Sequence, residues 1–128
     1  MKEKKVFAAH DEKETRKVLE SGNIHVISDL ESNKRADKLK HLESGLTPVL
    51  ARIAADKKVA IGWSLETLKG KKKYEKAVEL ARIRQNIKLA RKAGASIAIR
   101  GDAQEGTYLL LSLGASTKQI RNLRTQSF

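Results

Sequence analysis

Gly45-Leu-Thr-Pro-Val-Leu-Ala-Arg-Ile-Ala-Ala-Asp-Lys-Lys-Val-Ala-Ile-Gly-Trp-Ser-Leu65 decides the fold. Ser44 stands in front of it as a helix cap, and Pro48 falls in the first turn, where a missing N–H costs nothing. Val49, Leu50, Ile53 and Ala54 then recur at helical spacing and predict one apolar face. After the polar break Asp56-Lys57-Lys58 comes Val59-Ala-Ile-Gly-Trp63, too short for a helix and too apolar for a strand with one wet face. Such a run reads as a strand buried on both sides. A helix feeding a doubly buried strand through a short polar link is the αβ half of a parallel α/β unit.

The same unit recurs outward from this stretch. Towards the N-terminus, Lys5-Val-Phe-Ala-Ala9 and Ile24-His-Val-Ile-Ser28 read as strands. Between them lies a helix capped by Asp11, with Glu14 three residues on, ending at Ser21-Gly22. Residues 29–44 form a polar, charged loop containing Lys34, Arg35, Lys38 and Lys40. A loop of that length inside a compact domain is functional or disordered. Towards the C-terminus, the charge run Lys69-Gly-Lys-Lys-Lys73 precedes a long helix over Tyr74–Ala93, and Gly94 stops it. A strand over Ala95–Arg100, a helix over Gln104–Leu113 and a last helix over Thr117–Arg124, capped by Ser116, complete the chain. The last helix is expected to carry Lys118, Arg121 and Arg124 on one side. Strand–helix alternation predicts an α/β fold with a parallel sheet of about four strands and right-handed crossovers. That is half a TIM-type (β/α) barrel, read as one domain over 1–128 with the charged loop at about 29–44.

Charge narrows the function. Lys and Arg number 27 against 15 Asp and Glu, a net charge of +12 over 128 residues. Self-repulsion on that scale is explained by a polyanionic partner. No apolar run is long enough to span a bilayer, and Met1-Lys-Glu-Lys-Lys5 lacks the apolar core of a signal peptide. The absence of cysteine excludes disulfides and thiolate chemistry and fits a cytoplasmic location. Aromatic side chains are few, which argues against stacking platforms for single-stranded bases. Within the long helix, Arg84, Lys88 and Arg91 fall on one stripe with the small residues Ala77 and Ala81 beside it. A row of cations flanked by alanines lets a phosphate backbone approach closely. A solvated face kept charged for solubility has the same spacing.

Catalytic constellations are hard to find. In parallel α/β proteins, sites gather at the carboxyl ends of strands. Those ends offer His10 with Asp11, Ser28 with Asp29, Ser64 with Glu66, and Arg100 with Asp102. Convergence of His10, Asp29 and Asp102 is the one metal arrangement the order permits, but His10, His25 and His41 form no paired ligand motif. Ser64 has no evident base, and Gly101-Asp-Ala-Gln-Glu-Gly106 lacks the spacing of a dinucleotide fingerprint. No catalytic residue, metal site or cofactor is expected.

Several ordered segments carry a resemblance. Arg35-Ala-Asp-Lys-Leu-Lys-His-Leu-Glu-Ser-Gly-Leu-Thr-Pro-Val-Leu50 with Val59-Ala-Ile-Gly-Trp-Ser64, then Arg82-Ile-Arg-Gln-Asn-Ile-Lys-Leu-Ala-Arg-Lys-Ala-Gly94, resemble the ribonuclease P protein component 3 family of archaea and eukaryotes. The strand Ala95 to Ala103, ending in a Gly-Asp-Ala turn, extends the likeness over most of the chain. Thr47-Pro48 replaces a polar pair usual in that family, which puts any role of the pair in doubt here.

The resemblance implies a TIM-barrel-like, non-catalytic subunit of the archaeal-type ribonucleoprotein that matures the 5′ end of precursor tRNA. The ribonuclease P RNA carries the catalysis, and protein component 2 is the protein partner. Motif positions of the family fall on Arg35, Asp37 and Lys57, and its basic helix positions on Arg82 and Arg84. With Lys88 and Arg91 of the cationic stripe, Arg35, Lys57, Arg82 and Arg84 are expected to meet RNA, and Asp37 and Gly45 to have structural or partner roles. The resemblance also implies that this chain is a short form lacking the first strands. An unclosed half barrel is then expected to be completed by a second chain, as a homodimer or with another protein. The rival readings are a metal-dependent hydrolase of the polymerase-and-histidinol-phosphatase type and a general basic RNA-binding module.

Overall fold

The apolar run at Val59–Trp63 becomes the centre of a sheet. In the computed structural model, which describes residues 6–8, 12–32, 37 and 43–125, strand β3 (Ala60–Ser64) is buried through Trp63. It pairs in parallel with β2 (Val26–Ser28) on one side and β4 (Ile97–Arg100) on the other. Strands β1 (Val6–Ala8) and β5 (Arg124–Thr125) extend the sheet to five parallel strands in the order β1-β2-β3-β4-β5.

Sequential order with right-handed crossovers sends every connecting helix to the same face. Leu19 of α1 (Glu12–Ser21), Leu50 and Ala54 of α2 (Pro48–Asp56), Ile83 and Ile87 of α4 (Lys73–Ala93) and Leu110 of α5 (Ala103–Ser112) join one core. That core includes Ile27, Ile61, Trp63, Ile97 and Ile99 of the strands. The alternate strand residues Val26, Ala60 and Ala98 form a separate small cluster on the opposite face. A doubly wound sheet is covered by helices on both faces. Helices on one face of a sequential parallel sheet are the winding of a (β/α) barrel, of which this is a part.

The helix ends follow local chemistry. Thr47, not Ser44, caps α2: its hydroxyl accepts the Leu50 N–H at 3.2 Å. Val49, assigned by spacing to the apolar face, is 52 % exposed, and Leu50, Ala51 and Ala54 fill the core instead. Gly94 adopts a left-handed φ of 79° and closes α4. Asp102 caps α5 by accepting the Glu105 N–H at 2.8 Å. Ser116 and Gln119 form a reciprocal capping box on α6 (Thr117–Arg121).

Three further features depart from the sequence expectation. A short helix α3 (Leu65–Lys69), capped by Ser64, follows β3 directly. Strand β2 begins at Val26, so His25 lies just before it. The last helix stops at Arg121, and Arg124 belongs to the fifth strand. Its guanidinium donates to the carbonyls of His25 at 3.2 Å and Lys58 at 3.3 Å, in front of β2 and β3. A two-residue strand has no apolar run to announce it; backbone pairing and this one side chain hold it. His10, Asp11, Lys34, Arg35, Lys38, Lys40 and His41 lie outside the described residues. Among the described residues, no helix is long and apolar enough to cross a membrane.

Candidate nucleic-acid interface

Helix α4, 21 residues and about 30 Å long, presents three stripes to three surroundings. Ile83, Ile87 and Ala90 are buried in the core and dock the helix. Glu79, Arg82 and Asn86 form a second, polar stripe that is also buried. Arg84, Lys88 and Arg91 are exposed, with Ala77 and Ala81 exposed on the same side.

The polar stripe bonds to described residues on either side of and within the region before α2. Arg82 donates to the Asp37 carboxylate through Nε at 3.2 Å and Nη2 at 3.1 Å, and to the Glu31 carbonyl through Nη1 at 2.9 Å. Asp37 in turn accepts the Glu43 N–H at 2.7 Å. Asn86 donates to the Ser44 carbonyl at 2.9 Å, and Gln85 to the Ser44 hydroxyl at 3.2 Å. Ser32, in the 3-10 turn Leu30–Ser32, donates to Glu79 at 2.5 Å. The Arg82–Asp37 pair is a clamp between residue 37 and the helix. The pair is only part-buried, since Arg82 is enclosed while Asp37 reaches solvent, so losing Asp37 costs less than the roughly 3–5 kcal/mol of a fully buried pair. Arg82, grouped by sequence with the surface cations, is only 5 % exposed and is spent on this clamp.

Glu31 sits beside the clamp. Burial pushes its carboxyl up from an ordinary 4.5 to about 8, with Asp29 and Glu79 adding to the rise. One oxygen of Glu31 and one of Glu79 have no hydrogen-bond partner, although Lys71 Nζ lies 3.7 Å from that Glu79 oxygen. At neutral pH Glu31 is held protonated, so the crowded carboxylates carry less repulsion than their number suggests.

The exposed stripe has a different character. Ala81, Arg84, Gln85, Lys88, Leu89 and Lys92 line a shallow groove of about 380 Å³ along the outer side of α4. Its floor is short and apolar and its rim is cationic, a shape that admits a phosphate backbone between charged side chains. Arg91 continues the row, with one guanidinium nitrogen 3.4 Å from the Gly114 carbonyl. Lys57 stands apart, exposed at the C-cap of α2 in the link to β3. Arg35 lies outside the described residues.

The strand ends hold no catalytic arrangement among the described residues. Ser64 accepts the Thr67 N–H at 3.4 Å and Asp102 caps α5, so both serve helix ends. Asp29 occupies a turn with φ of 62°. No group of three or more His, Cys, Asp or Glu among the described residues stands together as a metal set.

Sequence reasoning missed Glu31, Ser44, Glu79 and Asn86 as a buried network. Glu79, Arg82 and Asn86 do recur at spacings of three and four beside the apolar stripe, which was the available signal. A polar stripe is read as solvated by default, and its burial depends on where a distant segment folds back.

No protein-family profile matches the chain. Ribonuclease P protein component 3 of Methanocaldococcus jannaschii is 34 % identical over 89 residues, 70 % of this chain and 35 % of that protein. In structure, the chain matches one in a cryo-EM structure of archaeal ribonuclease P with mature tRNA. The TM-score is 0.71 at 26 % identity, covering 91 % of this chain and 52 % of the other. The chain thus spans about a third of the curated relative and about half of the structural one. Over the parts they share, the chain is similar in sequence to ribonuclease P protein component 3 and in fold to a chain of archaeal ribonuclease P.

Proposed function

We propose that the protein is an RNA-binding subunit of a ribonuclease P-type ribonucleoprotein, supporting an RNA that performs the 5′ maturation of precursor tRNA. The observation that carries this reading is the cationic groove on α4, in a protein of net charge +12. The likeness to ribonuclease P protein component 3 supports ribonuclease P RNA as the RNA partner. A-form RNA is met chiefly through phosphates and 2′-hydroxyls, so a row of Arg and Lys over a short apolar floor is sufficient chemistry. In this reading Arg84, Lys88 and Arg91 contact RNA, and Lys57 and Arg35 are further contacts. Arg82, Asp37 and Gly45 have structural roles, Arg82 and Asp37 by pairing with each other and Gly45 by its close approach to Leu30. The place of action is the cytoplasm.

Ribonuclease P protein component 2 is the proposed protein partner. Among the described residues, β1 and β5 each pair on one side only, which supports a second chain alongside them, component 2 or another copy of this protein. Sedimentation should show self-association or a complex with component 2 at micromolar concentration, and two inert monomers would remove this part.

The functional test is reconstitution. Added with component 2 to the ribonuclease P RNA, the protein should lower the magnesium needed for 5′ processing. Arg84→Glu with Lys88→Glu should abolish that effect while leaving the fold intact. Equal affinity for ribonuclease P RNA, precursor tRNA and random duplex would instead mark a general basic module.

A further inference from the structure

The exposed face of α4 does not begin at its cations. Taken along the helix, Tyr74, Ala77, Ala81, Arg84, Lys88 and Arg91 recur at spacings of three and four, and all six are exposed. Tyr74 opens this row and is the most exposed large apolar side chain described, at 81 %. Scarcity of aromatics spoke against a stacking platform, but one ring placed at the head of a cationic row is a different case from a scattered one. Its surroundings are basic too. Lys72 and Lys73 precede it and are exposed, and Lys76 follows within the same turn, against the single carboxylate of Glu75. Lys69 and Lys71 are engaged elsewhere, by Glu105 at 2.6 Å and Glu79 at 3.7 Å.

Tyr108 supplies the contrast. It is 63 % exposed, but its hydroxyl accepts from Gln104 at 3.2 Å and its exposed neighbour on α5 is Leu111, with no cation in the row. Exposure of a tyrosine is thus common to both sites, and only Tyr74 combines it with flanking positive charge.

Resting on the RNA-binding reading above, we propose that α4 binds a junction between paired and unpaired RNA, with an unpaired base stacked on Tyr74 and the adjoining duplex backbone along Arg84 and Lys88. Ten residues separate Tyr74 from Arg84, about 15 Å along the helix axis. The ring and the cations therefore address neighbouring parts of one RNA and not the same nucleotide. Duplex A-form RNA offers phosphates but no free base face, while unpaired nucleotides flanking a stem offer both. Lys72 and Lys73 neutralise the phosphates on either side of the stacked base. Because every base has a π-face, the site selects for an unpaired nucleotide at a helix boundary, not for a sequence.

Two RNAs of equal length test this, a blunt duplex and a stem with a single-stranded extension, measured by direct binding at fixed salt. Tyr74→Ala should weaken binding to the extended stem by about 5- to 100-fold and leave the blunt duplex unchanged. Tyr74→Phe should restore the extended stem, and Tyr108→Ala should match the native protein on both. Arg84→Glu with Lys88→Glu should weaken both RNAs, which tests the underlying reading separately. If that pair weakens binding and Tyr74→Ala weakens neither RNA, or weakens both equally, the stacking assignment is wrong while the groove stands. If the native protein binds neither RNA, both fall together.

Discussion

Gly45 shows how one residue sets the course of a segment. Its φ of 83° is left-handed, and a Cβ built there would lie 2.8 Å from the Leu30 carbonyl carbon and closer still to its oxygen. The two strands of chain at the ends of the charged segment pass so closely that only glycine fits. Gly45→Ala should lower stability by about 2 kcal/mol or more, through both the φ penalty and the clash. Denaturant midpoints measure it, and a loss under half that value would mean that the Leu30 backbone yields. Glu31 makes a second prediction at this scale. The folded protein keeps its proton up to about 8, whereas the unfolded chain releases it in the ordinary carboxylate range. The stabilising proton is thus fully present below the unfolded value and lost as pH climbs through about 8. Stability should therefore fall between about pH 5 and 8, by as much as about 1.4 kcal/mol per pH unit. Glu31→Gln, which keeps shape and neutrality, should flatten that decline; melting curves of the two proteins that run parallel from pH 5 to 9 would contradict it.

At the scale of elements, α4 explains what could and could not be read in advance. Its length, its apolar stripe at Ile83, Ile87 and Ala90 and its glycine stop were legible, because periodicity and capping are local. Its exposed cations were legible as a stripe for the same reason. Arg82 was not legible as a clamp, because its burial depends on Asp37, 45 residues away. Strand β5 was hidden for a related reason: Arg124 is ordered by carbonyls at His25 and Lys58, far off in sequence. Ser44 and Thr47 both fit a cap by chemistry, and only the fold of the preceding segment decides between them. The division of labour within α4 also yields a prediction. Asp37→Ala should leave part of the buried Arg82 guanidinium without its carboxylate, at a cost of about 1–3 kcal/mol, and weaken RNA binding only as far as the fold is lost. Arg84→Ala should leave stability within about 0.5 kcal/mol and weaken binding. Thermal unfolding and RNA affinity measured on the same preparations separate the two, and equal stability losses would mean that the stripes are not independent.

For the whole molecule, one-sided winding places all long helices on a single face, and the outermost helix surfaces carry the charge. A net charge of +12 on 128 residues opposes compaction. Among the described residues, the buried polar network of α4 ties Asp37, Ser44 and the turn Leu30–Ser32 to the helix. The sequential parallel order was readable from strand–helix alternation, and the proposed RNA-binding role rests on the charged helix surface together with the likeness to ribonuclease P protein component 3. The central claim is that the α4 groove neutralises phosphates of a folded RNA, and the salt dependence of binding tests it most directly. The slope of log affinity against log salt should be steep for the native protein and shallower by roughly 2–3 when Arg84, Lys88 and Arg91 are all replaced by Ala, about one for each lost phosphate contact. Identical slopes for the two proteins would contradict the account.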